Sequence, residues 1–142
     1  RVTAARAAAD HVAIVAVLAD GSTLSLTTDY LLVATGRGPV TAGLNAEQVG
    51  LQMEKGYIRV DTLYRTSVPG ISAIGDVITM GTPHPQLAHV SSAEGILVAE
   101  RIAGHAVTPI NYDHVPGCTY CDPEIGSVGL TEHEARARGF DV

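Results

Sequence analysis

Ile71-Ser-Ala-Ile74, then Gly75-Asp76, then a Gly/Pro-rich loop from Thr79 to Pro85, then Gln86-Leu-Ala-His89 at the start of a helical pattern: the fold of this chain is decided here. Ile71 to Ile74 reads as a short apolar strand that Gly75 breaks. A glycine lets a ligand approach the backbone, and an aspartate at the carboxyl end of a strand accepts hydrogen bonds from ligand hydroxyls. Taken alone, Gly-Asp is more often a plain turn. The segment that follows changes the balance. A helix is expected from about Gln86 to Ala103, with Pro85 suited to its first turn and Gly104 to a left-handed C-terminal cap. Leu87, Val90, Leu97 and Val98 form part of its apolar face. The free amides and positive dipole end of such a helix favour an electron-rich or anionic group. Strand, Gly-Asp, loop and helix together describe a nucleotide-type cofactor site in an α/β architecture.

Toward the N-terminus the chain reads as a β-meander. Val12 to Leu18 is rich in β-branched residues, Asp20-Gly21 supplies the positive φ values of a tight hairpin, and Leu24 and Leu26 alternate with polar neighbours. A further strand is expected from Tyr30 to Ala34, apolar on both faces as in a layered α/β domain. It stops at Thr35-Gly36-Arg37-Gly38-Pro39. A glycine after a buried strand serves a turn or a ligand, and both readings of Gly36 stay open. Val40 to Gly70 reads as a loop-rich connector with one short strand, Tyr57 to Val60. Beyond His105 come a strand around Val115 to Tyr120, a turn at Asp122-Pro123, a strand from Ile125 to Leu130, and the capping box Thr131-Glu-His-Glu134, which starts a helix that Gly139 closes.

Composition narrows the function. The 142 residues carry 9 Lys or Arg and 15 Asp or Glu, a net charge of −6, which argues against nucleic-acid or anionic-membrane binding. With 46% apolar and 17% charged residues the chain is expected to bury a core. Its longest apolar run, Val12 to Ala19, is far short of the roughly 20 residues of a membrane span. No secretory signal is seen, and a cytoplasmic location is expected. Arg1 and the stop just beyond Gly139 suggest the cut ends of a longer protein. No Gly-x-Gly-x-x-Gly or Gly-Lys-Ser/Thr loop occurs, so no complete phosphate cradle lies in these residues. Cys118-Thr-Tyr-Cys121 has the spacing of a redox or zinc pair, but it lies on an expected strand, not a helix N-terminus, and lacks a second ligand pair. Positions three apart on a strand point to opposite faces, so both cysteines are read as structural and no metal is expected. Of the six histidines, His11, His84, His105, His114 and His133 are assigned to surface or loops. His89, in the first helical turn, either lines a pocket or packs.

Leu32-Val-Ala-Thr-Gly-Arg37-Gly-Pro, Arg65-Thr-Ser-Val-Pro-Gly-Ile71, Ala73-Ile-Gly-Asp76-Val, Leu87-Ala-His89 with Ala93-Glu-Gly95, Asn111-Tyr112, and Tyr120-Cys-Asp-Pro-Glu124 through Thr131 resemble the dihydrolipoamide dehydrogenases, a branch of the FAD-dependent pyridine nucleotide-disulfide oxidoreductases. Leu87-Ala-His89 favours that branch over the glutathione reductases, which usually read Leu-Thr-Pro there. A related disulfide reductase, glutathione or mercuric reductase among them, and a non-catalytic dimerisation or binding module are the alternatives. The loop from Val77 to Gln86 is longer than is usual in the family, Gly38 stands where a second arginine is common, and Val90 stands where lysine is common.

The resemblance implies a fragment of a flavoprotein with two dinucleotide-binding domains: the end of the NAD domain over residues 1–38, the second half of the FAD domain over 39–109, and the start of an α+β dimerisation domain over 110–142. It implies FAD and NAD as cofactors, a homodimer, and the lipoyl domain of a 2-oxoacid dehydrogenase complex as partner. Asp76 would accept from the ribityl chain of the flavin. Gln86, Leu87, Ala88 and His89 would face its pyrimidine side, next to Gly75, and Gly36 would lie beside NAD. No catalytic group is expected within these residues, because in the family the redox cysteines lie upstream and the His-Glu base downstream, in the partner subunit.

Overall fold

The computed structural model describes residues 1–142, which divide into two compact units, Arg1–Gly36 and Arg37–Val142. The first is a three-stranded antiparallel meander of β1 (Val2–Ala7), β2 (Val12–Val17) and β3 (Thr23–Thr28), in that order. Ile14, opposite Ala5 on one side and Leu26 on the other, is its buried residue. The β2–β3 turn is held by Asp20, whose Oδ1 accepts from the Ser22 amide at 2.9 Å and hydroxyl at 2.7 Å, while Gly21 takes φ 83°. β1 has no counterpart in the sequence reading, because Val-Thr-Ala-Ala-Arg-Ala is poor in strand formers and pairing with β2 alone makes it a strand. The strand expected from Tyr30 to Ala34 is absent. These residues have no regular structure, and Leu32 and Val33 are 88% and 71% exposed. A strand apolar on both faces needs hydrogen-bonding neighbours, and β1–β3 supply none.

The second unit is built on β4 (Met53–Glu54), β5 (Tyr57–Arg59) and β6 (Ile78–Thr79). β4 and β5 form a hairpin whose turn residues, Lys55 and Gly56, both lie in the left-handed region. β5 runs parallel to β6, with Ile58 opposite Ile78. Sheet pairing therefore falls on Ile78–Thr79, not on Ile71 to Ile74 as expected, where only a bridge from Ser72 to Arg65 forms. Between them, Gly75–Val77 makes a single 3-10 turn. The helix α1 (Ala88–Ile102) starts later than the sequence suggests: Leu87 is its extended N-cap and Pro85 lies outside it. Gly104, at φ 86°, takes the left-handed C-terminal position as expected. Ile58, Val60, Tyr64, Ile78 and Leu97 make the core, with Leu51, Met53 and Val98 packed around it.

The C-terminal segment contains the expected hairpin, β7 (Gly117–Thr119) with β8 (Ile125–Ser127), and then α2 (Glu132–Ala137). The capping box forms as the sequence indicates. Thr131 Oγ1 accepts from the Glu134 amide and the Glu134 carboxylate accepts from the Thr131 amide. No helix is long and apolar enough to cross a membrane.

Tyr64 is fully buried yet sits at φ 61°, a left-handed conformation that costs a non-glycine residue on the order of 1–2 kcal/mol. Asp61 holds it there. Its Oδ1 accepts from the Leu63 and Arg65 amides, each at 2.9 Å, and its Oδ2 accepts from Arg65 Nε at 2.7 Å, so the side chain straddles the turn. Partial burial pushes the Asp61 carboxyl up, but the bonds from Arg65 and Leu63 and the Arg65 charge outweigh it, leaving the pKa below its ordinary 3.8. A depressed carboxyl stabilises the fold above its unfolded value, and that contribution is lost as pH falls through the folded one. Asp61→Asn is expected to lower the melting temperature at neutral pH, with the gap to the parent narrowing below pH 3.8. Melting curves that stay parallel down to pH 2 would contradict this.

Candidate functional site

The 3-10 turn brings together three of the residues singled out from sequence. Gly75 lies at φ 76°, and a Cβ there would meet Ser91 Oγ at 3.0 Å, so the turn needs glycine both for its backbone and for its approach to α1. Asp76 follows, one-third exposed, with its Oδ2 accepting from Arg37 at 2.8 Å. Gln86 Nε2 donates to the Asp76 carbonyl at 3.1 Å. Leu87 caps α1 through its backbone only, so no side chain occupies the first amides of the helix, and Ala88 and His89 are exposed there. His89 Nε2 donates to the Pro116 carbonyl at 2.9 Å, which ties α1 to the segment before β7. Gly36, at φ 102°, closes the first unit and is exposed. Cys118 and Cys121 are free and exposed, with Cys121 Sγ against the Pro123 carbonyl at 2.9 Å. No group of three or more His, Cys, Asp or Glu side chains converges.

Behind the turn lies a polar cluster that the sequence reading missed. Glu94 has no exposed surface. Its Oε2 accepts from the Gly75 amide at 2.7 Å, and its Oε1 accepts from His84 Nε2 at 2.6 Å and the Tyr112 hydroxyl at 2.7 Å. Because Tyr112 donates to Glu94, the 2.8 Å contact between the two tyrosines makes Tyr64 the donor to Tyr112. Burial raises the Tyr112 pKa above its ordinary value, as do the bonds to Tyr64 and Glu94 and the Glu94 charge, so it stays a neutral donor. Burial likewise raises Tyr64. His84, assigned to the surface or a loop from sequence, is in a loop but has a side chain only 5% exposed, packed edge-on to the Tyr112 ring. A signal for Glu94 was present: Val90, Glu94 and Leu97 follow the helical repeat, which puts a carboxylate in the buried stripe.

Two family models match the chain: that of the pyridine nucleotide-disulphide oxidoreductases over residues 1–95, and that of the dimerisation domain of the same family over residues 115–142. The chain belongs to the pyridine nucleotide-disulphide oxidoreductase family. Among similar members, the dihydrolipoyl dehydrogenase of Geobacillus stearothermophilus is 46% identical over 87% of this chain and 26% of its own length. Dihydrolipoyl dehydrogenase 3 of Pseudomonas putida is 45% identical over 98% of this chain and 29% of its own. The crystal structure of LpdA from Mycobacterium tuberculosis superposes with a TM-score of 0.81 at 29% identity, over 97% of this chain and 28% of that one. The chain thus spans less than a third of the length of these relatives.

Gly75→Ala is expected to destabilise this pyridine nucleotide-disulphide oxidoreductase chain by about 1–2 kcal/mol from the left-handed backbone alone, with the Ser91 contact adding to it. Adding Ser91→Ala, which removes the Oγ at 3.0 Å and keeps a good helix former in α1, should recover only the contact part. Urea denaturation of the single and double variants measures the two parts, and full recovery in the double variant would show that the backbone is not strained.

Proposed function

We propose that this chain is part of a dihydrolipoyl dehydrogenase: a flavoprotein that oxidises protein-bound dihydrolipoamide to lipoamide through an enzyme disulfide and FAD, and reduces NAD. The observation that carries this is the match to dihydrolipoyl dehydrogenases at 44–46% identity over 87–98% of the chain, which includes the Gly75-Asp76 turn and the start of α1. On this reading, residues 1–38 end an NAD domain, 39–109 form the second half of an FAD domain, and 110–142 open a dimerisation domain. The protein acts as a cytoplasmic homodimer that meets the lipoyl domain of a 2-oxoacid dehydrogenase complex.

The residues present fit a flavin. Asp76 is a partly exposed carboxylate beside a glycine-only turn, and the first amides of α1 are not taken by a capping side chain. FAD, when bound, supplies the two-electron transfer between dithiol and NAD, while the protein supplies position and electrostatics. Asp76 would accept from a ribityl hydroxyl. The backbone from Gln86 to His89 would face the pyrimidine side, and the positive end of α1 would stabilise negative charge there, a preorganised electrostatic task. Gly36 would lie beside NAD. The catalytic cysteines and base are not among these residues, and Cys118 and Cys121 take no part.

In the full-length enzyme, Asp76→Leu should remove a charge-assisted bond worth about 1.5–3 kcal/mol, which weakens flavin binding about ten- to 150-fold. Flavin content after purification reads this out, and an Asp76→Leu enzyme that keeps its full yellow spectrum would refute the assignment. Replacing Cys118 and Cys121 together by serine should leave dihydrolipoamide oxidation within a few-fold of the parent. Activity at background with flavin still bound would show a redox role for the pair.

A further inference from the structure

We propose that Glu94 is a positioning residue that sets the Gly75-Asp76 turn from behind, and that Tyr112, just ahead of the dimerisation-domain match, holds that carboxylate in place. The inference rests on the flavin reading of Asp76. Glu94 makes no hydrogen bond to Asp76 or to Gln86, Leu87, Ala88 or His89. It reaches them through the Gly75 amide, adjacent to Asp76, at 2.7 Å. Its other oxygen is committed to His84 at 2.6 Å and Tyr112 at 2.7 Å, and Tyr112 is in turn braced by the hydroxyl of fully buried Tyr64. A fully buried carboxylate has no water to fall back on, so its orientation follows its donors. Moving Tyr112 or His84 rotates the carboxylate, and rotating the carboxylate shifts the Gly75 amide and with it the Asp76 side chain.

The arrangement gives the C-terminal segment a route to Asp76 that passes through Glu94 and the Gly75 amide. Tyr112 lies just before Val115, where the dimerisation-domain match begins. His89 bridges the same region by its bond to Pro116. The geometry therefore couples the placement of the dimerisation segment to the geometry of the residue that holds the flavin hydroxyl.

The test uses the full-length flavoprotein, with Glu94→Gln, Tyr112→Phe and Asp76→Leu compared side by side. Hydrogen exchange at the Gly75 amide in the flavin-free protein reads the tether itself, and titration with FAD followed by flavin fluorescence reads its consequence. Glu94→Gln is expected to speed Gly75 exchange at least tenfold and weaken FAD binding at least fivefold, with amides in β7 and β8 unchanged. Unchanged exchange at Gly75 would overturn the positioning role. Faster exchange with unaltered FAD affinity, while Asp76→Leu loses flavin, would also overturn it, because the turn would then not govern the contact. Retention of flavin by Asp76→Leu would sink the flavin reading instead. Should Glu94→Gln fail to fold, Tyr112→Phe keeps the Gly75 bond and is expected to weaken FAD at least threefold; no change there overturns the proposal.

Discussion

A carboxylate taken out of water has to be met by donors, and in this chain that requirement falls on Glu94. Its three donors come from places well apart in sequence: the Gly75 turn, the His84 loop and Tyr112. Each is a distinct kind of group, a backbone amide, an imidazole and a phenol, and none can be dropped without leaving a buried charge short of a partner. The cluster ties the His84 loop to α1, and through Tyr112 it anchors the segment that leads into β7. The apolar core around Ile58, Ile78 and Leu97 gives the second unit its cohesion, but it is indifferent to direction. The polar cluster supplies the direction.

Much of this was legible in the sequence where a local rule suffices. The Asp20-Gly21 hairpin, the capping box at Thr131 and the left-handed Gly104 each depend on residues within a few positions of one another, and each formed where the pattern placed it. The misplaced elements depended on partners. Ile71 to Ile74 has the composition of a strand, yet β5 pairs with Ile78–Thr79 because the 3-10 turn at Gly75 lies between the two segments. The start of α1 shifted because Leu87 is held extended, whatever Pro85 would permit. In the site, Gly75, Asp76 and Gln86 were visible as residue types in a recognisable order. Glu94 was not, because a glutamate on a helix is ordinarily read as solvated. Only its phase with Val90 and Leu97 marked it as buried. His84 was hidden for the opposite reason: loop residues are presumed exposed, and this loop folds back over α1.

The apolar residues that stay exposed fall into two groups. Leu32 and Val33 are apolar without strand partners in their own unit, and Tyr120, Ile125 and Val128 leave the β7–β8 region 85%, 58% and 65% uncovered at those positions. Isolated exposed apolar residues are ordinary, whereas runs of this kind mark surfaces made for contact. In the proposed arrangement the first group falls in the NAD-domain part of the chain, and the second falls within the dimerisation-domain match.

The Arg37–Asp76 ion pair has a consequence of its own for any occupant of the turn. The carboxylate has two oxygens, and Arg37 holds one of them with a side chain that is itself 72% exposed. A hydroxyl arriving at Asp76 therefore enters a competition: it either shares the carboxylate or displaces a guanidinium that water is ready to solvate. Dissolved ions screen the exposed pair far more than a short neutral-donor bond made in a closed site. Ionic strength acts on the incumbent rather than on the newcomer, so salt eases occupancy of Asp76 by a neutral hydroxyl, in the sense opposite to its usual effect on a charged ligand.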